Sequence, residues 1–261
     1  MKIATWNVNS LRVRLPQVLD WLAANPVDAL CLQETKQEDS AFPHAELAAA
    51  GYRAVHAGQK TYNGVAILAH QTLGDIQRGI VGFDDPQQRL IAATLDTAMG
   101  PLRLVCAYFP NGQEVGSEKY EYKLRWMSAL TNSLRQELAN TDKLALVGDF
   151  NIAPEDRDVH DPAAWNDKIL CSAPERRAFQ DLLELGLIDA FRLFDQAENS
   201  FSWWDYRMMG FRRNLGLRID HILISRGLRD HCVSCQVDKA PRRLERPSDH
   251  APVVADLALE A

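Results

Sequence analysis

The chain has 261 residues, 46% of them hydrophobic and 25% charged, with a formal net charge of −6. This is globular usage with enough chain for a sizeable core. It excludes a disordered, collagen-like or coiled-coil chain and a disulfide scaffold. No apolar run approaches the ~18–20 residues that span a bilayer, and the opening Lys2-Ile3-Ala4-Thr5-Trp6-Asn7 carries no secretory apolar segment. The length allows one large domain or two small ones; no Pro/Gly/Ser-rich linker divides it, and the expectation is a soluble, cytoplasmic, monomeric protein with a single domain over residues 1–261.

In chain order, the first strand-like run covers residues 3–6. Leu11, Leu15, Val18, Leu19 and Leu22 then repeat at helical spacing, with Pro16 near the start of that helix. Further strand-like runs follow at 29–32, 65–69, 90–95 and 102–109. A longer helix is predicted over 117–138, with Leu124, Met127, Leu130, Leu134 and Leu138 as its stripe. A strand at 144–147 precedes a third helix over 175–185, opened by Pro174 and stopped at Gly186. The last runs are 218–225 and 252–257. Strands interleaved with helices imply sheets covered by helices, an α/β or α+β layered fold.

The five cysteines, Cys31, Cys106, Cys171, Cys232 and Cys235, are few and odd in number, as expected of reduced thiols. Cys31 and Cys106 lie in apolar runs and belong to the core. Cys232 and Cys235 have no second cysteine pair to complete a structural zinc site.

The informative pattern is what interrupts the apolar runs. Asn7, Gln33-Glu34, Tyr108 and Asp149-Phe150-Asn151 stand at carboxyl ends, whereas Asp220 and Asp249-His250 stand at amino ends. With antiparallel strands in the sheets, these ends share one rim. An extended backbone would aim Asp149 and Asn151, two residues apart, the same way. Singly, each reads as a turn residue; together they read as a site. Glu34, Asp249 and Asn7 offer hard oxygen ligands for Mg²⁺ or Mn²⁺. His250 needs a carboxylate to orient it, with Asp220 the nearest candidate in kind. Tyr108 and Asn151 can donate to a phosphate oxygen gaining charge. No Walker A, dinucleotide fingerprint or nucleophile elbow is present. A metal with a base and donors is apparatus for attacking phosphate esters with water.

Seven strings then occur in one familiar order: Trp6-Asn7-Val8-Asn9-Ser10-Leu11-Arg12, Leu32-Gln33-Glu34-Thr35-Lys36, Tyr62-Asn63-Gly64-Val65-Ala66-Ile67, Tyr108-Phe109-Pro110-Asn111, Gly148-Asp149-Phe150-Asn151, Leu217-Arg218-Ile219-Asp220 and Pro247-Ser248-Asp249-His250-Ala251-Pro252. From residue 2 to residue 257 the chain resembles the exonuclease III branch of the apurinic/apyrimidinic endonuclease family. The resemblance implies a four-layered sandwich, with two packed mixed sheets flanked by helices. It also implies a metal-dependent DNA-repair phosphodiesterase acting on double-stranded DNA with abasic or 3′-blocked lesions. Its expected activities are 3′→5′ exonuclease and 3′-end cleaning, with or without incision 5′ to abasic sites.

By resemblance, Glu34 and Asp249 hold the metal with Asn7 close by, and Asp149 and Asn151 handle the attacking water and the phosphate. A second metal at Asp149 and Asn151 stays open. Asp220 and His250 form a dyad, and Tyr108 contacts the phosphate. Whether Asp149 or the dyad is the general base also stays open. The segment from Trp203 to Ile219 resembles the family's minor-groove loop. Trp203, Leu217 and Ile219 would form the pocket for a flipped sugar. Arg212, Arg213 and Arg218, from a run without acids, would be phosphate contacts. One of Trp203 and Trp204 is expected to be core. Residues 159–171 depart from the family pattern and border the pocket. The competing readings are a hydrolase of another phosphate ester on the same fold and a non-catalytic DNA-binding relative.

Overall fold

A computed structural model describes residues 1–259; Glu260 and Ala261, the end of the expected single domain, lie outside the described residues. Fourteen strands fall into two six-stranded sheets and one short ladder. In the first sheet the order is β13 (Cys232–Val237), β14 (Val253–Leu257), β1 (Lys2–Asn7), β2 (Ala29–Gln33), β4 (Val65–Ala69) and β3 (Arg53–Ala57). In the second it is β5 (Gly74–Arg78), β6 (Leu90–Leu95), β7 (Leu102–Tyr108), β8 (Leu144–Asp149), β12 (Asp220–Ser225) and β9 (Leu187–Asp189). The ladder pairs β10 (Trp203–Trp204) with β11 (Gly216–Leu217).

Side-chain alternation sorts the residues into layers. Along β7, Leu102, Leu104 and Cys106 enter the core between the sheets, while Val105 and Ala107 face outward onto helices. Cys31 and Cys106 both lie in that inter-sheet core, fully buried. The outer face of the second sheet is covered by α3 (Glu118–Leu138) and α5 (Ala173–Glu184), through Trp126, Met127, Leu130 and Phe179, with the short α4 (Pro162–Trp165) in the loop before α5. The outer face of the first is covered by α1 (Leu11–Ala24) and α2 (His44–Ala49), through Leu11, Val18, Trp21 and Leu47. The result is the expected four-layered α/β sandwich.

Local chemistry sets the helix starts. Ser117 caps α3, its hydroxyl accepting from the Tyr120 peptide N–H at 3.2 Å. Ser172 and Glu175 form a capping box on α5, and Pro174 occupies its first turn. Pro16 does not interrupt α1, which runs through it.

At the mouth of the second sheet, Gly148 has φ 151° and sits opposite Ala107. A Cβ there would lie 1.8 Å from the Ala107 carbonyl oxygen. Gly148→Ala must therefore push β7 from β8 just where Tyr108 and Asp149 end. We expect a loss of ~3 kcal/mol in urea unfolding together with reduced turnover. An unchanged urea midpoint would show that the strands separate freely there.

Candidate active site

Strand direction assembles the site. β1 and β2 are parallel and end together at Asn7 and Gln33, with Glu34 one residue further. β7 and β8 are parallel and end together at Tyr108 and Asp149. β12 returns antiparallel to β8, so that Asp220 pairs with Asp149. β14 returns along β1 and is entered through Asp249 and His250. The expected rim therefore forms, shared by both sheets.

One side chain stitches the sheets together there. The Asn7 amide nitrogen donates to Glu34 Oε1 at 2.9 Å and, across the sandwich, to Asp149 Oδ2 at 2.8 Å. His250 Nδ1 lies 2.9 and 3.1 Å from the Asp220 oxygens, and its Nε2 lies 3.7 Å from Asp149 Oδ2. Asp220 is fixed in turn by the Ser202 hydroxyl, which donates to Oδ2 at 2.6 Å and accepts from the Ile219 and Asp220 peptide N–H groups. Ser248 donates to the Asn7 carbonyl at 2.6 Å and accepts from the His250 peptide N–H at 3.2 Å. The His250 carbonyl accepts from Trp6 Nε1 at 3.2 Å. The ring is thus held from its backbone and from its Nδ1.

Burial and neighbours set opposite charges on the two central groups. Burial pushes the Asp149 carboxyl up to about 7; the charges of Asp220 and Glu34 add to that, while His250 and the Asn7 hydrogen bond oppose it. Burial disfavours a charged His250, but Asp220 and Asp149 outweigh it and raise the imidazole to about 10. Burial, together with Glu34 and Asp149, pushes the Tyr108 phenol well above its usual range, so it stays a neutral donor. Arg89 lies 4.8 Å from the Tyr108 ring centre.

Two placements differ from expectation. Asp149 and Asn151 do converge, but not along an extended strand. Asn151 is left-handed, with φ 51°, and its amide nitrogen turns back to Asp149 Oδ2 at 3.3 Å and to the Phe109 carbonyl at 3.1 Å. Asn7 presents its nitrogen to the acids, because its Oδ1 is taken by the Asn9 peptide N–H at 2.9 Å. In this structure it acts as a donor to the carboxylates. Among the described residues, Glu34, Asp149 and His250 each place one potential ligand atom within 4.8 Å of the others; the two carboxylates suit a cation, whereas His250 carries a proton. Asp249 is engaged separately, by Asn9 Nδ2 at 2.9 Å and Trp203 Nε1 at 3.0 Å.

The Trp203 segment divides. Trp204 is fully buried and Trp203 is half-buried, as the expectation of one core tryptophan requires. Leu217 and Ile219 pack with Val159, Leu170 and Cys171, and Trp203 and Trp165 close over them. The 159–171 loop is thus one wall of this apolar cluster, bridged from Val159 to Leu217. Arg212 and Arg213 are exposed, as phosphate contacts must be.

Arg218 is not available to DNA. It is 1% exposed, bound to Asp158 at 2.7 Å and Asp189 at 2.8 Å, and 2.9 Å from His221 Nδ1. Acids distant in sequence and close in space overturn that expectation. Arg242 is likewise buried, between Trp204, Tyr206 and Phe211.

Three rim residues, Asn9, Lys36 and Asn111, went unassigned in the sequence. Lys36 Nζ reaches Glu34 Oε2 at 2.8 Å and Asn9 Oδ1 at 2.6 Å, and Asn111 donates to Asn151 Oδ1 at 3.0 Å. Their signal was position, two residues beyond Asn7 and Glu34 or three beyond Tyr108. Tyr206, Met208 and Met209 form an exposed tip of the Trp203 segment, with both methionines left-handed. Bulky residues hold that conformation only where their surroundings impose it. A cleft of about 620 Å³ beside Tyr108 is lined by Tyr62, Arg89, Asn111 and Lys119 among others. A groove of about 630 Å³ between α3 and α5 holds none of the rim groups.

The sequence pattern of the Endonuclease/Exonuclease/phosphatase family matches residues 4–250. The chain belongs to this family. Exodeoxyribonuclease III of Haemophilus influenzae is 39% identical, over 98% of this chain and 99% of its own. The structure of a Neisseria 3′ phosphatase, NExo, bound to a product DNA hairpin is 49% identical with a TM-score of 0.95, covering 98% of this chain and 99% of that one. The structure of an AP endonuclease from Archaeoglobus fulgidus is 39% identical with a TM-score of 0.92, at the same coverages. Among the described residues, no helix of this family member is long and apolar enough to cross a membrane.

The burial of Arg218 gives a test. Arg218→Met leaves Asp158 and Asp189 without their buried cation and should cost ~3–5 kcal/mol in unfolding free energy. The salt dependence of DNA binding by the folded variant should not change. A shallower salt slope would return Arg218 to the phosphate contacts.

Proposed function

We propose that the protein is a DNA-repair phosphodiesterase that removes 3′-blocking groups and nucleotides from duplex DNA, with or without incision at abasic sites, working as one monomeric domain. The observation that carries the reading is the shared rim, where Asp149, the His250–Asp220 pair and Tyr108 are brought together at the strand ends. The names of the relatives support DNA as the substrate. The 159–171 wall of the apolar cluster bears on the balance between end trimming and abasic incision.

The donor set fits a hard divalent cation. Glu34 and Asp149 bring two carboxylate charges together, and burial makes that costly without a cation. Glu34 with Asp149 would hold Mg²⁺ or Mn²⁺, with Asp249, held by Asn9 and Trp203, the further acid that the family resemblance offers. The ion would supply charge to offset that of the phosphate and its leaving oxygen.

The residues divide the remaining work. Asp149, poised near neutrality, accepts the proton of the attacking water. His250 is charged at neutral pH and therefore serves as a donor to the phosphate rather than as a base. Asp220 holds that charge in place. Tyr108 offers its phenolic hydrogen to the same oxygens. The cleft lined by Tyr62, Arg89 and Lys119 takes the strand beyond the cut, and the half-buried Trp203 meets the sugar at the lesion, backed by Leu217 and Ile219, which are themselves fully buried beneath it.

Chelation should abolish turnover on a 3′-phosphate duplex, and Mg²⁺ or Mn²⁺ should restore it. Activity surviving extensive chelation would defeat the metal assignment. The sign of the pH dependence follows from Asp149, whose base form is lost as pH falls. The rate should drop with one proton at a midpoint at or below about 7 yet above the ordinary 3.8, since a cation opposes burial. A rate level down to that ordinary value would exclude Asp149 as the base.

Arg212→Ala with Arg213→Ala should weaken binding to damaged and intact duplex alike, reducing the log–log salt slope by about 0.9 for each phosphate no longer neutralised. Trp203→Ala should leave that slope alone and lower kcat/KM on abasic or 3′-blocked DNA. Identical behaviour of the two variants in a salt titration would make the segment structural only.

A further inference from the structure

Lys123 in α3 and Glu175 in α5 form an ion pair with no exposure on either side chain. The lysine spends its three donors on Glu175 Oε1, on the Asn151 carbonyl at 2.7 Å and on the Asn111 carbonyl at 3.3 Å. Those two asparagines also bond each other through their side chains, at 3.0 Å. Glu175 Oε1 accepts a second bond, from the Leu170 peptide N–H at 3.1 Å, while Oε2 takes the Ser172 peptide N–H at 3.1 Å and the Ser172 hydroxyl. Asn151 and Leu170 are both left-handed, with φ of 51° and 72°. Leu170 belongs to the apolar cluster under Trp203, and its carbonyl accepts from the Ala153 peptide N–H at 2.8 Å. A buried ion pair loses more hydration than an apolar pair of its size. Stability alone does not require its donors to land on the carbonyls of two rim asparagines.

We propose that the Lys123–Glu175 pair is a positioning element for the reaction: Lys123 fixes the Asn151 turn against the loop after β7, and Glu175 fixes Leu170 in the pocket wall. Neither residue reaches the rim. Both act through backbone, so the catalytic amide and the pocket wall are set by one buried contact. The inference rests on the rim being the catalytic site, with Asn151 part of it.

The test is a mutant cycle. Lys123→Met combined with Glu175→Gln removes both charges and leaves no buried ion. On a 3′-phosphate duplex well below the melting temperature, kcat should fall by about 10–10²-fold with KM changed much less. Asn151→Ala should be costly in the native background and far less costly in the charge-free background, because the turn it depends on is already released. If Asn151→Ala is costly in both backgrounds by the same factor, or if the charge-free variant keeps native kcat, the positioning role is overturned while the rim reading stands. If Asn151→Ala is neutral in the native protein, both fall. Should the charge-free variant not fold, Glu175→Gln alone is read in the same cycle. It slackens Lys123 without vacating its place. Coupling to Asn151→Ala then supports the proposal, and strict multiplication of the two effects overturns it.

Discussion

Asp149 is an acid with 1% exposure, set at the end of a central strand between two other carboxylates. Everything on the rim compensates for that placement. Asn7 brings it a donor from the opposite sheet, Asn151 brings its own peptide and side-chain N–H groups, and His250 brings a positive charge. These partners come from strands that meet only because the sheets pack with their mouths aligned. The inter-sheet core from Ile3 to Leu257 thus does more than exclude water. Its registry decides whether a buried aspartate meets its donors, and a slip of one strand would strand the charge.

A second buried charge system fixes the pocket from behind. Asp158 and Asp189 bind Arg218, which lies between Leu217 and Ile219 in sequence. Asp158 also binds Arg192. Leu217 and Ile219 are therefore anchored by the residue between them, and their side chains meet the 159–171 loop. The arginine helps make the apolar surface, a different task from touching DNA.

The legibility of the sequence follows burial. The eight runs read as strands are the eight inner strands of the two sheets, largely buried on both faces and so nearly continuously apolar. The four long-sheet strands not foreseen, β3, β5, β9 and β13, are the four sheet edges: β3, β5 and β13 carry partly or fully exposed residues that break the apolar run, and β9, though largely buried, is only three residues long. The rim was legible because polar residues ending apolar runs stand out. The direction of the Asn7 amide and the left-handed turn at Asn151 were not, because both depend on partners far along the chain. Arg218 was misread for the same reason. A run free of acids in sequence says nothing about Asp158 and Asp189 in space.

Charge completes the argument about substrate. Four acids, Glu34, Asp149, Asp220 and Asp249, stand on the rim, against His250, Lys36 and the Arg89 guanidinium beside Tyr108. Of the four arginines in the 207–219 run, Arg207 pairs with Asp205 and Arg218 is internal, leaving Arg212 and Arg213 exposed. On the proposed reading, the acids of the rim disfavour an anionic diester at that point until a cation offsets Glu34 and Asp149, while Arg89 and Lys119 line the cleft beside it. On that reading cation and DNA then bind with mutual reinforcement, and linkage makes the coupling reciprocal. An overall charge of −6 is therefore compatible with a nucleic-acid substrate. The acids that repel DNA are the same groups that recruit the cation needed to hold it.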